Sequence, residues 1–172
     1  MHMINFIRIV LILMIIPVLL VNCYAQMNNA YEKIPDESNN GFLYKGVCTF
    51  EDIMTLPDFD FNTVPELDTE ALSGLRKTLG DFEIIVFIGT WCEDSQLLIP
   101  QLYHVLNATN YPISRIQMFG VDRGKQSLHG ASEAYNILFV PTIILMKDGK
   151  EQGRITEQVQ QSVELDLVNI IR

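Results

Sequence analysis

The fold is decided by residues 82–95, FEIIVFIGTWCEDS, in which a buried strand leads directly into a helix. The unbroken apolar run at 84–87, IIVF, predicts a strand that is covered on both of its faces. Leucine and valine side chains recur at helical spacing through 95–109, so this segment is predicted to be a helix. Cys92 therefore lies between the end of a strand and the start of a helix.

Strands and helices alternate through the rest of the chain. The patterns predict a strand, a short helix, two strands and a closing helix, at 116–121, 130–136, 142–146, 153–156 and 160–171. The last two strands are joined by 147–150, KDGK, a hairpin turn in which Gly149 can adopt a positive φ. The order β-α-β-α-β-β-α predicts an α/β sandwich of three layers, a mixed central sheet flanked by helices.

The segment before this core differs from it in composition. Residues 26–41 are polar and contain Pro35 and two Asn pairs, which is typical of a flexible linker. Two helices are then predicted, one that starts at Thr49 and stops before Pro57, and one from Asp68 to Gly80. We therefore expect one domain over 42–172, with its core at 82–172 and an N-terminal helical extension.

Composition excludes several functional classes. The chain has 172 residues, with 12 basic and 21 acidic side chains and a net charge of −9, so it repels phosphate backbones and is not expected to bind nucleic acid. Apolar residues make up 48%, which is enough for a core and excludes disorder of the whole chain. Three cysteines are too few for a disulfide-stapled scaffold.

The first 25 residues are predicted to be a signal peptide. An apolar run at 9–21 has the length of a signal core and is short for a membrane span. Small side chains at Cys23 and Ala25 favour cleavage after Ala25. Two alternatives remain open: a lipobox in which Cys23 is lipidated, and an uncleaved anchor. All three export the domain to the periplasm or cell envelope, where disulfides persist.

Cys92 is the candidate nucleophile. The unpaired N–H groups and the positive dipole at the start of a helix favour a thiolate over a thiol. The carboxylates of Glu93 and Asp94 oppose this effect, but exposed charge pairs are worth only about 0–1 kcal/mol each. The alternative interpretation of Cys92 is a small buried apolar residue.

Residues 82–172 resemble the thioredoxin fold family in four features that occur in the family's order. Trp-Cys at 91–92 follows the first core strand, and Ser95 stands where the family usually has a second cysteine. Pro100 falls at the place of the family's helix-kinking proline. Residues 140–142, VPT, match the cis-proline loop that faces the active thiol in the family.

The wider runs 89–95, 120–123 and 148–150 look like a bacterial thioredoxin-like subfamily. Two departures from the family pattern bear on activity. Ser95 removes the resolving thiol, and Val86 replaces the buried acid that commonly sits six residues before the nucleophile. The resemblance therefore implies a single-cysteine protein whose mixed disulfide an outside thiol must resolve, with Ser95 supplying only a hydrogen bond.

The resemblance also implies roles for the neighbours of Cys92. Trp91 and the loop of Val140, Pro141 and Thr142 would position a peptide, with Val140 offering backbone polar groups to an extended substrate. Each has an ordinary alternative. Trp91 can serve as core packing, and Pro141 can be a trans proline at a strand edge, since only about 5–6% of X–Pro bonds are cis.

Cys48 has two interpretations. Between Val47 and Thr49 it is most simply a packed apolar position. It is also a possible resolving thiol for Cys92, which requires Cα atoms within about 7 Å. No Cys and His residues have metal-ligand spacing, so no metal is expected, and the chemistry needs no bound cofactor.

The sequence thus predicts an exported protein that exchanges thiols and disulfides through one cysteine, as an isomerase or as a reductase helped by an external thiol. Its partners would be protein or peptide thiols and disulfides and an external reductant. The membrane is a partner only if Cys23 is lipidated or the signal is uncleaved. The alternative is a redox-silent peptide-binding module on the same fold.

Overall fold

A single six-stranded sheet organises the computed structural model, which describes residues 31–38 and 40–172. The strands are β1 (Tyr31–Pro35), β2 (Phe42–Cys48), β3 (Glu83–Ile88), β4 (Gln117–Gly120), β5 (Thr142–Lys147) and β6 (Lys150–Thr156). Their order across the sheet is β1-β2-β4-β3-β5-β6. β3 and β4 are parallel and the other neighbouring pairs are antiparallel, so the mixed central sheet is confirmed.

Five α-helices accompany the sheet in the described part of the chain. They are α1 (Phe50–Met54), α2 (Thr69–Thr78), α3 (Glu93–Ala108), α4 (Ala131–Ala134) and α5 (Val163–Ile171). All five were predicted, and the largest difference in their bounds is at the start of α5. α5 begins three residues later than predicted because the hydroxyl of Ser162 accepts the N–H of Leu165 and caps the helix there. None of these helices has the length and hydropathy that crossing a bilayer requires.

The sheet is covered on both faces, as the apolar run of β3 predicts. Residues 84–88 are each at most 2% exposed. Ile84, Val86 and Ile88 face a large apolar cluster that includes residues of α3 and α5. Ile85 and Phe87 face a second, smaller cluster on the opposite side of the sheet. The end of β3 is thereby fixed from both sides, and the loop that carries Cys92 starts from this rigid position.

The prediction of a flexible linker at 26–41 is wrong for residues 31–35, which form the edge strand β1. β1 pairs with β2 from Tyr31 opposite Gly46 to Pro35 opposite Phe42. The rings of Tyr31 and Tyr44 stack across the pair with centroids 4.3 Å apart. The composition of the segment does not indicate this strand, because an edge strand tolerates polar residues and a terminal proline, and its partner residues lie 7 to 15 positions further along the chain. The N-terminal extension therefore contains two strands as well as two helices.

Local capping explains where α1 and α2 begin. The hydroxyl of Thr49 accepts the N–H of Asp52, and the Asp52 carboxylate accepts the N–H of Thr49, so a capping box fixes the predicted start of α1. Asp68 caps α2 by accepting the N–H of Ala71 at 2.7 Å. The predicted signal peptide and residues 26–30 of the predicted linker lie outside the described residues.

Candidate functional site

Cys92 occupies the N-cap of α3, where its thiol is partly exposed. Its backbone N–H donates to the carbonyl of Gly89 at 2.9 Å, and its own carbonyl accepts the N–H of Gln96 at 3.0 Å. These two bonds close the turn between β3 and α3. Cys92 therefore stands at a helix N-terminus as predicted, and as a half-buried residue it does not fit the alternative of a fully buried apolar cysteine.

The loop opposite the thiol contains a cis peptide bond between Val140 and Pro141, as the resemblance implies. The Sγ of Cys92 donates to the carbonyl of Val140 at 3.3 Å, so the loop and the thiol are in direct contact. The carbonyl of Pro141 already accepts the N–H of Glu157 at 2.8 Å. In the part of the chain that the structure describes, no hydrogen bond engages the N–H of Val140, a residue that is only 3% exposed.

Thr142 stabilises the loop from inside and is not part of its exposed surface. Its side chain is buried, and its hydroxyl donates to the carbonyl of Phe139 at 2.8 Å. This bond holds the turn at 139–142. The side chains of Leu138 and Phe139 remain 73% and 48% exposed beside the loop. Two apolar side chains next to a partly exposed thiol favour contact with another molecule.

Ser95 stands in the first turn of α3 and is fully buried. Its Oγ accepts the backbone N–H of Gly89 at 3.2 Å. The resemblance implies that Ser95 supplies a hydrogen bond, and in the structure the partner of this hydroxyl is the backbone of Gly89. Ser95 therefore fastens the turn beneath the thiol and offers no sulfur that could resolve a mixed disulfide.

Trp91 packs back over the loop that precedes Cys92. Its Nε1–H donates to the carbonyl of Val121 at 3.2 Å. A Cβ placed on Gly89 would lie 2.8 Å from Cε2 of this indole, so only a glycine at 89 leaves room for the ring. Two cations also lie over the ring, because the Arg123 guanidinium is 4.9 Å and the Lys125 Nζ 5.4 Å from the ring centroid.

Asp36 and Arg123 form an ion pair beside Trp91, and the sequence analysis did not predict this pair. The Arg123 guanidinium donates to both carboxylate oxygens of Asp36, at 2.7 and 2.9 Å, and the Asp36 side chain is only 1% exposed. These hydrogen bonds hold the pKa of Asp36 below its ordinary value and raise that of Arg123. Asp36 lies in the segment predicted as a linker, so no sequence signal pointed to it.

The structure does not bring Cys48 and Cys92 together. Cys48 is 3% exposed, its Sγ contacts the carbonyl of Gly46 at 3.5 Å, and it belongs to the large apolar cluster together with Met118. Cys92 packs against the smaller cluster on the other face of the sheet, and both thiols are free. Burial raises the pKa of Cys48 to about 12, which suits a packed apolar position.

Metal-binding side chains are not clustered in the described part of the chain. No group of three or more His, Cys, Asp and Glu residues there could hold a metal ion. Val86 is fully buried and apolar at the position where the family commonly has an acid. The chemistry available at this site is therefore that of the partly exposed Cys92 thiol and its hydrogen-bonding surroundings.

Comparison with known proteins identifies the fold of this site. The thioredoxin family model matches residues 73–170. A curated relative, thioredoxin from Chlamydia pneumoniae, is 27% identical over 86 residues, which cover 50% of this chain and 78% of the relative. Among solved structures, the oxidised mitochondrial thioredoxin 3 of Saccharomyces cerevisiae is 21% identical, with 58% of this chain and 87% of that chain covered and a TM-score of 0.38.

Oxidised thioredoxin O2 from Arabidopsis thaliana is 25% identical over 59% of this chain and 80% of its own, also with a TM-score of 0.38. The family model covers more than half of the 172 residues and includes β3, α3, β4, β5, β6 and most of α5. It also spans the Cys92 turn and the loop around Pro141. On this evidence, the chain belongs to the thioredoxin family.

Proposed function

We propose that this protein exchanges thiols and disulfides through the single nucleophile Cys92. The observation that carries the proposal is the placement of the Cys92 sulfur, partly exposed at the N-terminus of α3 and 3.3 Å from the carbonyl of Val140. The N–H of Val140 has no hydrogen-bond partner in the described part of the chain, and we propose that an extended peptide pairs with it, which would align a substrate sulfur with Cys92. Thioredoxin-like proteins act generally on protein thiols and disulfides, and these are the proposed partners.

The proposed reaction has two exchanges. The Cys92 thiolate attacks one sulfur of a substrate disulfide, so that the substrate S–S bond breaks, a mixed disulfide forms and the other substrate sulfur leaves as a thiolate. Since Ser95 carries no sulfur and Cys48 is buried, a second thiol must come from outside the domain. An external small thiol that attacks the Cys92 sulfur releases the substrate as a dithiol and leaves Cys92 joined to the small thiol, until another small thiol frees Cys92 and leaves as a small-molecule disulfide. A substrate thiol that attacks the substrate sulfur of the mixed disulfide instead forms a new substrate disulfide and frees Cys92, which isomerises the substrate.

The site is proposed to work outside the cytoplasm, in the periplasm or cell envelope of a Gram-negative bacterium. This location follows from the predicted signal peptide at 1–25. An oxidising compartment suits the chemistry because substrate disulfides persist there. Lipid anchoring through Cys23 is the alternative mode of export.

The test is alkylation and glutathione exchange at Cys92 in the purified chain. Iodoacetamide labelling measured against pH, followed by mass spectrometry, reports which cysteine reacts and how fast. We expect Cys92 to be labelled faster than a cysteine in a denatured chain at neutral pH, and to form a mixed disulfide with oxidised glutathione. Cys92→Ser should abolish the glutathione adduct, and the matched control Cys48→Ala should leave it intact.

A second function is favoured by two specific observations. The buried Ser95 hydroxyl is committed to the N–H of Gly89, and buried Val86 provides no proton carrier near the thiol. Both features suit a redox-silent module that binds peptides along the loop at 140–142. This candidate predicts peptide binding that Cys92→Ser leaves unchanged. An ordinary alkylation rate without a glutathione adduct would select it over thiol exchange.

A further inference from the structure

The indole of Trp91 lies next in sequence to the candidate nucleophile, so its position affects any substrate that approaches Cys92. One edge of the ring is fixed by the hydrogen bond from Nε1 to the carbonyl of Val121. One side of the ring packs against Gly89, where a Cβ would come within 2.8–3.1 Å of three indole atoms. The remaining freedom of the ring is limited by the cations at 4.9 and 5.4 Å from its centroid.

Arg123 is the cation whose own position is fixed by another charge. Its guanidinium donates through Nε and Nη2 to the two carboxylate oxygens of Asp36, a two-point contact that defines the orientation of the guanidinium plane. Lys125 makes no ion pair in the described part of the chain. Orientation of a cation over the indole is therefore supplied by the Asp36–Arg123 pair.

Asp36 is in turn held by the extension rather than by the family core. It follows the last residue of β1, and its backbone N–H donates to the carbonyl of Gly41 at 2.9 Å. Its Oδ1 also accepts the N–H of Ser38 at 3.1 Å. The residues matched by the family model start at 73, so Asp36 belongs to a part of this chain that the model does not cover.

We propose that Asp36 is a positioning residue of the thiol site, which acts through Arg123 to hold the Trp91 indole beside Cys92. The N-terminal extension thus contributes to the site although no atom of Asp36 needs to touch the substrate. The expected effect on the reactivity of Cys92 rests on the proposed thiol exchange. The structural part of the inference, the positioning of the Trp91 indole by Asp36 through Arg123, does not depend on it.

The fluorescence of Trp91 tests the structural part directly, because the chain contains one tryptophan. We expect Asp36→Asn in the full chain to increase acrylamide quenching of this emission. The rate at which Cys92 forms its glutathione mixed disulfide should fall about two- to fivefold, the factor that one cation–π contact at a partly exposed site is worth. Far-ultraviolet circular dichroism should show unchanged secondary structure.

Arg123→Gln provides a second variant in case the loss of a buried carboxylate prevents folding, since the Arg123 side chain is 40% exposed. It should reproduce both effects, and the double variant should be no worse than either single one. Asp81→Asn is the matched control. Asp81 pairs with Lys147, whose Nζ lies 5.1 Å over the Phe82 ring at the opposite end of β3. The Asp81→Asn variant should change neither the acrylamide quenching of Trp91 nor the rate of glutathione exchange at Cys92.

The outcomes separate the inference from the proposed function. Quenching and exchange rates like those of the unsubstituted protein in both site variants would overturn the inference, as would equal effects in Asp81→Asn. Increased quenching with an unchanged exchange rate would also overturn it, since the indole would then move without effect on the thiol. If the unsubstituted protein forms no mixed disulfide, the proposed function fails, and quenching alone decides whether Asp36 positions Trp91.

Discussion

The two cysteines of the described chain show how strongly placement controls a thiol. Cys92 ends a turn, faces a helix N-terminus and is partly exposed. Cys48 lies on β2 among apolar side chains, where the thiolate would lose its hydration. The residue type is the same, so the difference in reactivity that the proposed function requires would come from the backbone and the packing around each sulfur.

Burial of Cys48 predicts a loss of stability at high pH. Its native pKa is about 12 against 9.0 for the free thiol, so native Cys48 keeps a proton that the unfolded chain releases. The resulting stabilisation is complete below about pH 8 and is lost as the pH rises from 9 towards 12, by at most about 1.4 kcal/mol per pH unit.

Urea denaturation from about pH 8 to about pH 11 measures this effect, with Cys48→Ala as the reference. The difference in the free energy of unfolding between the original protein and the variant should shrink as the pH rises. Tyrosines and lysines titrate in the same range, but they are common to both proteins and cancel in the difference. A difference that stays constant with pH would show that Cys48 is not buried as a thiol.

Individual elements were predicted best where their own residues determine their limits. The Thr49–Asp52 capping box, the Asp68 cap and the turn at Asp148 and Gly149, which both have positive φ, are local arrangements. Each was visible in the sequence because its hydrogen bonds or dihedral angles involve residues only one to three positions apart. β1 was missed for the opposite reason, since its hydrogen bonds all go to another strand.

The capping box of α1 predicts a measurable loss of stability in Thr49→Ala. The substitution removes the acceptor for the Asp52 N–H and the hydroxyl that donates to the Asp52 carboxylate at 2.8 Å. We expect the free energy of unfolding to fall by about 1 kcal/mol, measured by urea denaturation.

Thr69→Ala is the matched control for this prediction. Thr69 is the first residue of α2, is exposed, and its side chain makes no hydrogen bond in the described part of the chain. Its replacement should change stability by no more than about 0.5 kcal/mol. Equal losses in the two variants would mean that the capping box does not stabilise α1.

At the scale of the whole molecule, the sheet joins the N-terminal extension to the thiol site. β2 pairs with β4, and the N–H of Tyr44 on β2 donates to the Thr90 hydroxyl, two residues before Cys92. Lys45 on the same strand pairs with Asp122 at 2.6 Å, next to Arg123. The extension and the family core therefore meet at the loops that surround Trp91.

The whole chain also carries the prediction of export. After expression in a Gram-negative host, intact mass measurement should give a mature chain that begins at Gln26. Ala25→Leu should block this cleavage, because leader peptidase requires a small residue there, whereas Cys23→Ser should leave it unchanged. A diacylated chain that begins at Cys23 would contradict cleavage after Ala25, and an uncut chain would indicate an anchor.

The sequence by itself determined the order of strands and helices from residue 82 onwards and the position of Cys92 between a strand and a helix, and its resemblance to the thioredoxin fold family implied the cis-proline loop at 140–142. These are encoded in hydrophobic periodicity, capping residues and motifs that act over short distances. Only the tertiary structure showed that Cys48 lies away from Cys92, that Ser95 bonds to Gly89, and that Asp36 reaches Trp91 through Arg123. Such contacts join residues from separate parts of the chain, and only pairing of the strands brings them within hydrogen-bond distance.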